Sequence, residues 1–155
     1  MAVEVAKRAG LRLVMMMKRS EPAELAHWEN EVAPRLRGDE ELLFDVGHDE
    51  KVELLGRARA TLFPIQWPEP FGLVMIESMA CGTPVIAMPQ GAAPEIVADG
   101  TTGFLTDTVD DMVAAVGRAG EISPSACRDH VTEHFSAKAM VAKTERILEA
   151  LASAA

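Results

Sequence analysis

The most constraining feature of this chain is a regular alternation of short apolar runs with helical segments. The apolar runs have the length of strands, and the segments between them have helical spacing of their apolar residues. Consecutive strands separated by helices are joined by right-handed crossover connections, which give a parallel sheet with helices on both faces. The predicted fold class is therefore α/β with a doubly wound parallel sheet.

The alternation predicts five strands, followed by a helical end of the chain. Strands are expected at 11–17, 41–47, 60–65, 83–88 and 103–107. Helices are expected at 2–9, 20–38, 48–58, 71–81 and 93–100, and then at 110–119, 124–134 and 137–152. Gly10 and Gly82 are expected to end helices, while Ser20 and Glu21 are expected to cap one that has Pro22 near its first turn.

The expected organisation is one domain over 1–155, with an α/β sheet core at 1–108 and a helical tail at 109–155. The length suits a single domain, and a hydrophobic content of 48% suffices for a core. A series of this kind normally begins with a strand, whereas this one begins on a helix. We therefore expect the first strand of the sheet to lie upstream of Met1.

The net charge limits the kind of partner that the chain can bind, and the cysteines indicate the cellular compartment. A net charge of −9 disfavours a nucleic-acid binder, because such binding depends on basic patches that neutralise phosphates. No apolar run approaches the roughly 18 residues of a membrane span, and the N-terminus lacks the order of a signal peptide. Cys81 and Cys127 lack metal-binding spacing, so we expect two reduced thiols, no disulfide and a cytoplasmic protein.

A ligand site is expected at the carboxyl ends of the strands, where open parallel sheets bind their ligands. The loop at 65–72 is the richest there, because it precedes a helix whose free N–H groups and positive dipole end suit an anion. Phosphates are expected to meet the N–H groups of Gly72, Leu73 and Val74. Glu69 and Glu77 would flank such a ligand, since a carboxylate accepts paired hydrogen bonds from sugar hydroxyls. The alternatives are that Glu69 only caps the helix and that Glu77 reaches solvent.

The sequence PEPFGLVMIESMACGTPVIAMPQGAAPEIVADGTTGFL, residues 68–105, resembles the C-terminal domain of retaining GT-B glycosyltransferases of family 4, also called group 1. The matching features are two glutamates separated by seven residues, a helix end of the form A-x-G-x-P-V, a glycine-containing loop ending in P-E, and a D-G-x-x-G-F turn. Weaker similarity extends to 41–64 and 134–148.

The resemblance implies roles for individual residues. Glu77 would bind the ribose hydroxyls of the donor nucleotide, and Glu69 would contact the donor sugar, which makes it the candidate catalytic residue. The backbone amides of Phe71, Gly72 and Leu73 would lie beside the sugar and the diphosphate.

Three further residues, Val46, His48 and Lys51, fall where the family places its base-binding loop. For His48 the alternative is an exposed helix cap, and for Lys51 an exposed lysine in the first helical turn. This loop departs from the family pattern, which has a glycine at the strand end and often an acid at the position of His48. The resemblance therefore leaves the identity of the donor nucleotide's base open. Trp67 either lines the crevice or covers the sheet edge.

Other catalytic constellations are disfavoured by spacing. His130 and His134 are four residues apart but lack the HExxH order, which favours two solvated histidines over a metal site. Ser78 lacks the flanking glycines of a nucleophile elbow. No metal site is expected.

The resemblance implies transfer of a sugar from a nucleotide-diphosphate sugar to an acceptor, with retention at the anomeric carbon and no cofactor. The family's basic GR…KG segment and its N-terminal acceptor domain do not occur in this sequence, so we expect the donor-binding half, inactive alone. Lys18 or Arg19 would substitute in part for the basic segment, or form a solvated turn. The apolar face of the helix at 137–152 would then be exposed and could form a homodimer.

The sequence bears on two other function classes. A non-catalytic nucleotide-binding or interaction module that retains the fold is the alternative to a transferase. A receiver-like signalling domain needs an acidic pair after its first strand and a phosphorylatable aspartate after its third, and neither arrangement occurs here.

Overall fold

The computed structural model describes residues 1–18 and 22–153. Within them the five strands are β1 (Val14–Met17), β2 (Glu41–Phe44), β3 (Thr61–Phe63), β4 (Val85–Ala87) and β5 (Gly103–Leu105). The helices are α1 (Ala2–Ala9), α2 (Pro22–His27), α3 (His48–Arg57), α4 (Leu73–Ala80), α5 (Ala93–Ile96), α6 (Val109–Arg118), α7 (Pro124–His134) and α8 (Ala137–Ser153). The predicted α/β class is confirmed, although every strand is shorter than its apolar run.

The strands are parallel but form two separate sheets. β1 pairs with β2, and β3, β4 and β5 form the second sheet in that order. All three residues of β4 are buried, as expected for a strand covered on both faces. The doubly wound pattern is thus present, with the described strands divided between two sheets.

The core lies between the three-stranded sheet and the helices. Its largest fully buried side chains include Met75 and Met79 of α4, Ile86 of β4 and Met112 of α6. Cys127 of α7 is also fully buried. Two helices of the predicted tail therefore pack on the α/β core.

The last helix differs, because none of the residues of α8 is buried. It contacts α7 near its own start and otherwise leaves its apolar side chains exposed. No helix in the described part of the chain combines the length and the apolar character needed to cross a membrane.

The single helix expected at 20–38 is wrong. α2 ends at His27 and continues as a π-helical turn at Trp28–Val32 and a 3-10 turn at Ala33–Arg35. Pro34 explains the break, because a proline inside an α-helix removes a hydrogen bond and clashes with the preceding turn. The cap expected on Ser20 and Glu21 lies outside the described residues.

Candidate functional site

The site lies where α3 and α4 begin, after β2 and β3. Lys51 in the first turn of α3 places its Nζ 2.6 Å from Oε1 of Glu77 in α4. The Lys51 side chain is 29% exposed and that of Glu77 is 38% exposed. The carboxylate of the apolar helix therefore has a cationic partner, and both groups remain open to a ligand. The alternative of an exposed Lys51 is therefore wrong.

Buried hydroxyl groups fix α4 directly beside Glu77. Ser78 is fully buried, and its Oγ lies 2.8 Å from Oγ1 of Thr61 and 3.0 Å from the carbonyl oxygen of Thr83. Thr83 Oγ1 donates to the carbonyl of Leu55 at 2.6 Å, which links α4 to α3. These bonds give Ser78 a structural role, and they hold Glu77 against Lys51.

The N-terminus of α4 is built as an open anion site. Gly72 is its N-cap in the left-handed region, with φ 75°, and gives no side-chain capping bond. The first N–H groups of a helix have no partner within the helix, so those of Leu73 and Val74 can reach a ligand. The Phe71 ring instead packs edge-on against Phe135, with centroids 6.4 Å apart. The predicted role of Phe71 concerns its backbone amide, which this ring contact leaves free of the ring. The helix begins later than expected, because Gly72 turns the chain.

Glu69 is held by its backbone rather than by its side chain. Its N–H donates to the carbonyl of Trp67 at 2.8 Å, and its own carbonyl accepts from Ala92 N–H at 2.9 Å. Gly91 packs so closely that an added Cβ would lie 2.3 Å from the Glu69 carbonyl oxygen. The loop after β4 therefore positions the loop after β3. In the sequence this glycine belongs to the loop that ends in P-E, and no role of its own was predicted for it.

The predicted base-binding loop follows β2. Val46 is half-buried, His48 is exposed as the first residue of α3, and Gly47 is the N-cap. The alternative of an exposed helix cap is therefore correct for the exposure of His48, while the cap itself is Gly47. Asp45 has φ 53°, a rare conformation for a residue other than glycine, which marks the turn into this loop. Nothing in the sequence pattern indicated this strain.

Trp67 and Lys18, two other predicted contributors, both have exposed side chains. Trp67 is 54% exposed, and Lys18 follows β1 at the same edge of the fold. Arg19 lies outside the described residues.

The histidines of α7 form an aromatic cluster with Phe135. The rings of His130 and His134 are 4.7 Å apart, and His130 Nε2 lies 2.9 Å from the carbonyl oxygen of Ile96. The interpretation of His130 as a solvated residue is therefore wrong. In the part of the chain that the structure describes, no group of three or more potential ligands could hold a metal ion.

The region where α3 and α4 begin suits an anionic, hydroxyl-rich ligand. An uncapped helix N-terminus offers N–H donors to phosphate, and the carboxylates of Glu69 and Glu77 can accept bonds from hydroxyls. A cavity of about 810 Å³ between α1 and residues 27–37 does not reach any of these groups. The site is therefore identified from the chemistry of its residues and not from the volume of a cavity.

Cys81 at the end of α4 reports on the ion pair. Burial raises the pKa of its thiol, the Glu77 charge raises it further, and the Lys51 charge opposes them. A raised pKa means less thiolate at a given pH, so Glu77→Gln is expected to speed alkylation of Cys81 by iodoacetamide and Lys51→Gln to slow it. Mass spectrometry of timed samples at pH 8 measures this. Glu53→Gln, which removes the exposed partner of Arg57, is the control and should change nothing. Equal rates of Cys81 alkylation in all variants would show that the charges of Glu77 and Lys51 do not act on this thiol.

Comparison with known proteins adds independent information. Residues 35–125 match the family described as glycosyl transferases group 1. The chain is 30% identical over 125 residues to N-acetyl-alpha-D-glucosaminyl L-malate synthase of Bacillus anthracis, an alignment that covers 76% of this chain and 32% of that protein. The chain thus spans about a third of the length of this relative.

Solved structures show the same architecture. Sucrose-phosphate synthase of Thermosynechococcus elongatus aligns with a TM-score of 0.71 and 27% identity, over 99% of this chain and 43% of that one. Anabaena HepE in complex with UDP-glucose aligns with a TM-score of 0.69 over 97% of this chain and 44% of that one. Its identity of 20% makes this second likeness one of fold alone.

Proposed function

Because the chain belongs to the glycosyl transferases of group 1, we propose that it is the donor-binding half of a retaining glycosyltransferase of the GT-B type, family 4. Its substrate is a nucleotide-diphosphate sugar, and its reaction needs no cofactor. The observation that carries this proposal is the half-exposed Lys51–Glu77 pair on the same helix whose N-terminus is open to an anion.

Each group has a part in donor binding. Glu77 accepts the ribose hydroxyls, and Lys51 holds its carboxylate in place while adding positive charge near the diphosphate. The N–H groups of Leu73 and Val74 meet the phosphates, which lets the leaving diphosphate depart without a metal. Glu69 contacts the donor sugar from the neighbouring loop.

The acceptor is bound outside residues 1–155 in this proposal, and these residues act as one nucleotide-sugar-binding unit without transfer activity alone. Support comes from the share of the relatives that the chain covers, about a third in the Bacillus anthracis protein. We also propose the cytoplasm as its location, which agrees with the two free thiols of Cys81 and Cys127.

Calorimetric titration of the chain with UDP, GDP and ADP tests the proposal. We expect saturable binding of one diphosphate and a loss of about tenfold or more in affinity in Glu77→Gln, because a bound hydroxyl loses a charged acceptor. Glu53→Gln removes a glutamate from an exposed pair and is expected to bind like the parent protein.

Two outcomes oppose the proposal. Equal losses in both variants would indicate a general charge effect rather than a ribose contact at Glu77. Absence of binding to all three diphosphates by a chain whose circular dichroism shows a folded protein would favour an interaction module that retains the fold without binding nucleotide.

We further propose that the isolated chain forms a homodimer through α8. Met140, Ile147, Leu148 and Leu151 lie on one face of this helix and are each at least 60% exposed. Burial of such a stripe against a second copy stabilises a dimer through the hydrophobic effect. Sedimentation equilibrium should show a dimer that Leu148→Lys converts to monomer, while Glu149→Lys on the opposite face of the same helix leaves a dimer. A monomer at all concentrations would exclude this interface.

A further inference from the structure

Asp45 follows the carboxyl end of β2 and has an unusual backbone conformation. Among residues 1–18 and 22–153 it is the only residue other than glycine with a positive φ, which is 53°. The left-handed region is unfavourable for a residue with a Cβ, and an aspartate enters it most readily when its side chain makes a local hydrogen bond. A bond of this kind would make Asp45 an ordinary turn residue.

The carboxylate of Asp45 makes no such bond. The backbone N–H of Asp45 donates to the carbonyl of Met17 at 2.9 Å, which fixes the end of β2 against β1. The side chain is exposed, and within the described part of the chain its oxygens have neither a hydrogen bond nor an ion pair. The unfavourable conformation therefore persists without a local contact that compensates for it, which is typical of residues that serve a ligand.

Two helices give the direction of the proposed donor. In the proposed function the phosphates meet the N–H groups of Leu73 and Val74, and the ribose meets Glu77, about 6 Å further along the axis of α4. Lys51 Nζ lies 2.6 Å from the Glu77 carboxylate, and the N–H of Lys51 donates to the carbonyl of Gly47 at 3.0 Å. The nucleotide therefore runs from the start of α4 towards the start of α3.

The base of the donor then lies at the loop between β2 and α3. Asp45 is two residues before Gly47, the N-cap of α3, and both residues are exposed. Gly47 has no side chain to cap the helix, so N–H groups in the first turn of α3 remain available to a ligand. The loop thus offers a carboxylate as acceptor and backbone N–H groups as donors.

We propose that Asp45 selects guanine as the base of the donor, so that the substrate is a guanosine-diphosphate sugar. This selection rests on the proposed function and names the nucleotide that it leaves open. A carboxylate accepts hydrogen bonds at both oxygens, so it pairs best with two donors that lie side by side. Guanine presents its N1–H beside its 2-amino group, and its O6 accepts hydrogen bonds from donors such as the N–H groups at the start of α3.

The other common bases match this loop less well. Uracil has a single N3–H between two carbonyl oxygens, so the second oxygen of a carboxylate faces a like partial charge. Adenine and cytosine have a ring-nitrogen acceptor beside their amino group, which has the same effect. Repulsion of this kind contributes to specificity together with attraction. The carboxylate of Asp45 therefore distinguishes guanine from all three.

Calorimetric titration of the chain with GDP, IDP, UDP and ADP tests the selection of guanine. IDP differs from GDP only in lacking the 2-amino group of the base. We expect GDP to bind most tightly and IDP to bind about tenfold more weakly, because one hydrogen bond to a charged acceptor is lost. UDP and ADP are expected to bind more weakly than GDP by about tenfold or more, since each also brings an acceptor against the carboxylate.

Variants at position 45 separate the carboxylate from the backbone conformation. Asp45→Asn keeps a side chain that tolerates the left-handed region but replaces one acceptor with a donor, so the preference for GDP over IDP should disappear. Asp45→Gly relieves the conformation and removes the carboxylate, and it should lose the same preference while circular dichroism shows a folded protein. The control for net charge is Asp107→Asn, at an exposed aspartate after β5, which should leave all four affinities within about twofold.

Two kinds of result would overturn the selection of guanine. Equal affinity for GDP and IDP, tighter binding of UDP or ADP than of GDP, or an unchanged preference for GDP in Asp45→Asn would each exclude it and leave donor binding intact. Failure of the folded chain to bind any of the four diphosphates would overturn donor binding itself, and the selection of guanine with it.

Discussion

Replacing Gly103 with alanine is expected to lower the free energy of unfolding by about 3 kcal/mol or more, because new atoms would be forced into a closed backbone contact. Gly103 begins β5 and stands opposite Val85 of β4 in the parallel register. A Cβ at this position would lie 1.9 Å from the carbonyl oxygen of Val85, far inside contact distance. The obstacle is backbone, which cannot rotate away as a side chain can. The two strands must therefore separate and lose their hydrogen bonds.

Urea denaturation followed by circular dichroism measures this effect. Gly56→Ala is the matched control, since an added Cβ at Gly56 in α3 has no neighbour within 4 Å. This control is expected to raise the free energy of unfolding by about 0.5–1 kcal/mol, because alanine favours a helix over glycine. A Gly103→Ala protein as stable as the parent would show that β4 and β5 do not approach as closely as described.

Much of the fold followed from the periodicity of the sequence. The order of strands and helices was correct, because apolar runs bounded by glycine and proline leave few alternatives. The ends of elements were less predictable, since they depend on single residues such as Gly72, whose left-handed conformation delays α4. The break after His27 depended on how far the proline at 34 disturbs the preceding turn. The division into two sheets depended on contacts between distant segments, which a local pattern does not carry.

The candidate site could likewise be predicted from the sequence only in part. Glu77 could be singled out because a carboxylate within an apolar helix needs a partner. The identity of that partner could not be deduced, since Lys51 lies in a different helix and meets Glu77 only after the sheets assemble. The strain at Asp45 and the packing of Gly91 against Glu69 are likewise properties of the folded loops. The predicted roles of Glu69, Glu77 and the neighbouring amides in donor binding stay predictions.

Replacing Gly91 with alanine is expected to lower affinity for the nucleotide sugar while leaving affinity for the nucleoside diphosphate within about twofold, because the change displaces Glu69 and spares Glu77. An added Cβ would lie 2.5 Å from the Glu69 nitrogen and 2.8 Å from the carbonyl carbon of Pro68, so the loop before α4 must move. A displacement of this kind weakens contacts to the sugar, and we expect a loss of about tenfold or more. Titration with UDP, GDP and ADP and with their glucose esters measures both affinities.

In this experiment the backbone strain of an alanine at position 91 must be separated from the displacement of the loop that carries Glu69. Gly91 has φ 54°, where alanine is strained by about 1–2 kcal/mol whatever its neighbours. Gly100 has φ 72° and no atom within 4 Å of an added Cβ, so Gly100→Ala carries the strain without the collision. If Gly91→Ala alone loses the sugar ester and retains the diphosphate, Glu69 acts on the sugar and the loop after β4 positions it. An equal loss for diphosphate and sugar ester would instead mean that the loop supports the whole site, and the separate assignment of Glu69 to the sugar would be wrong.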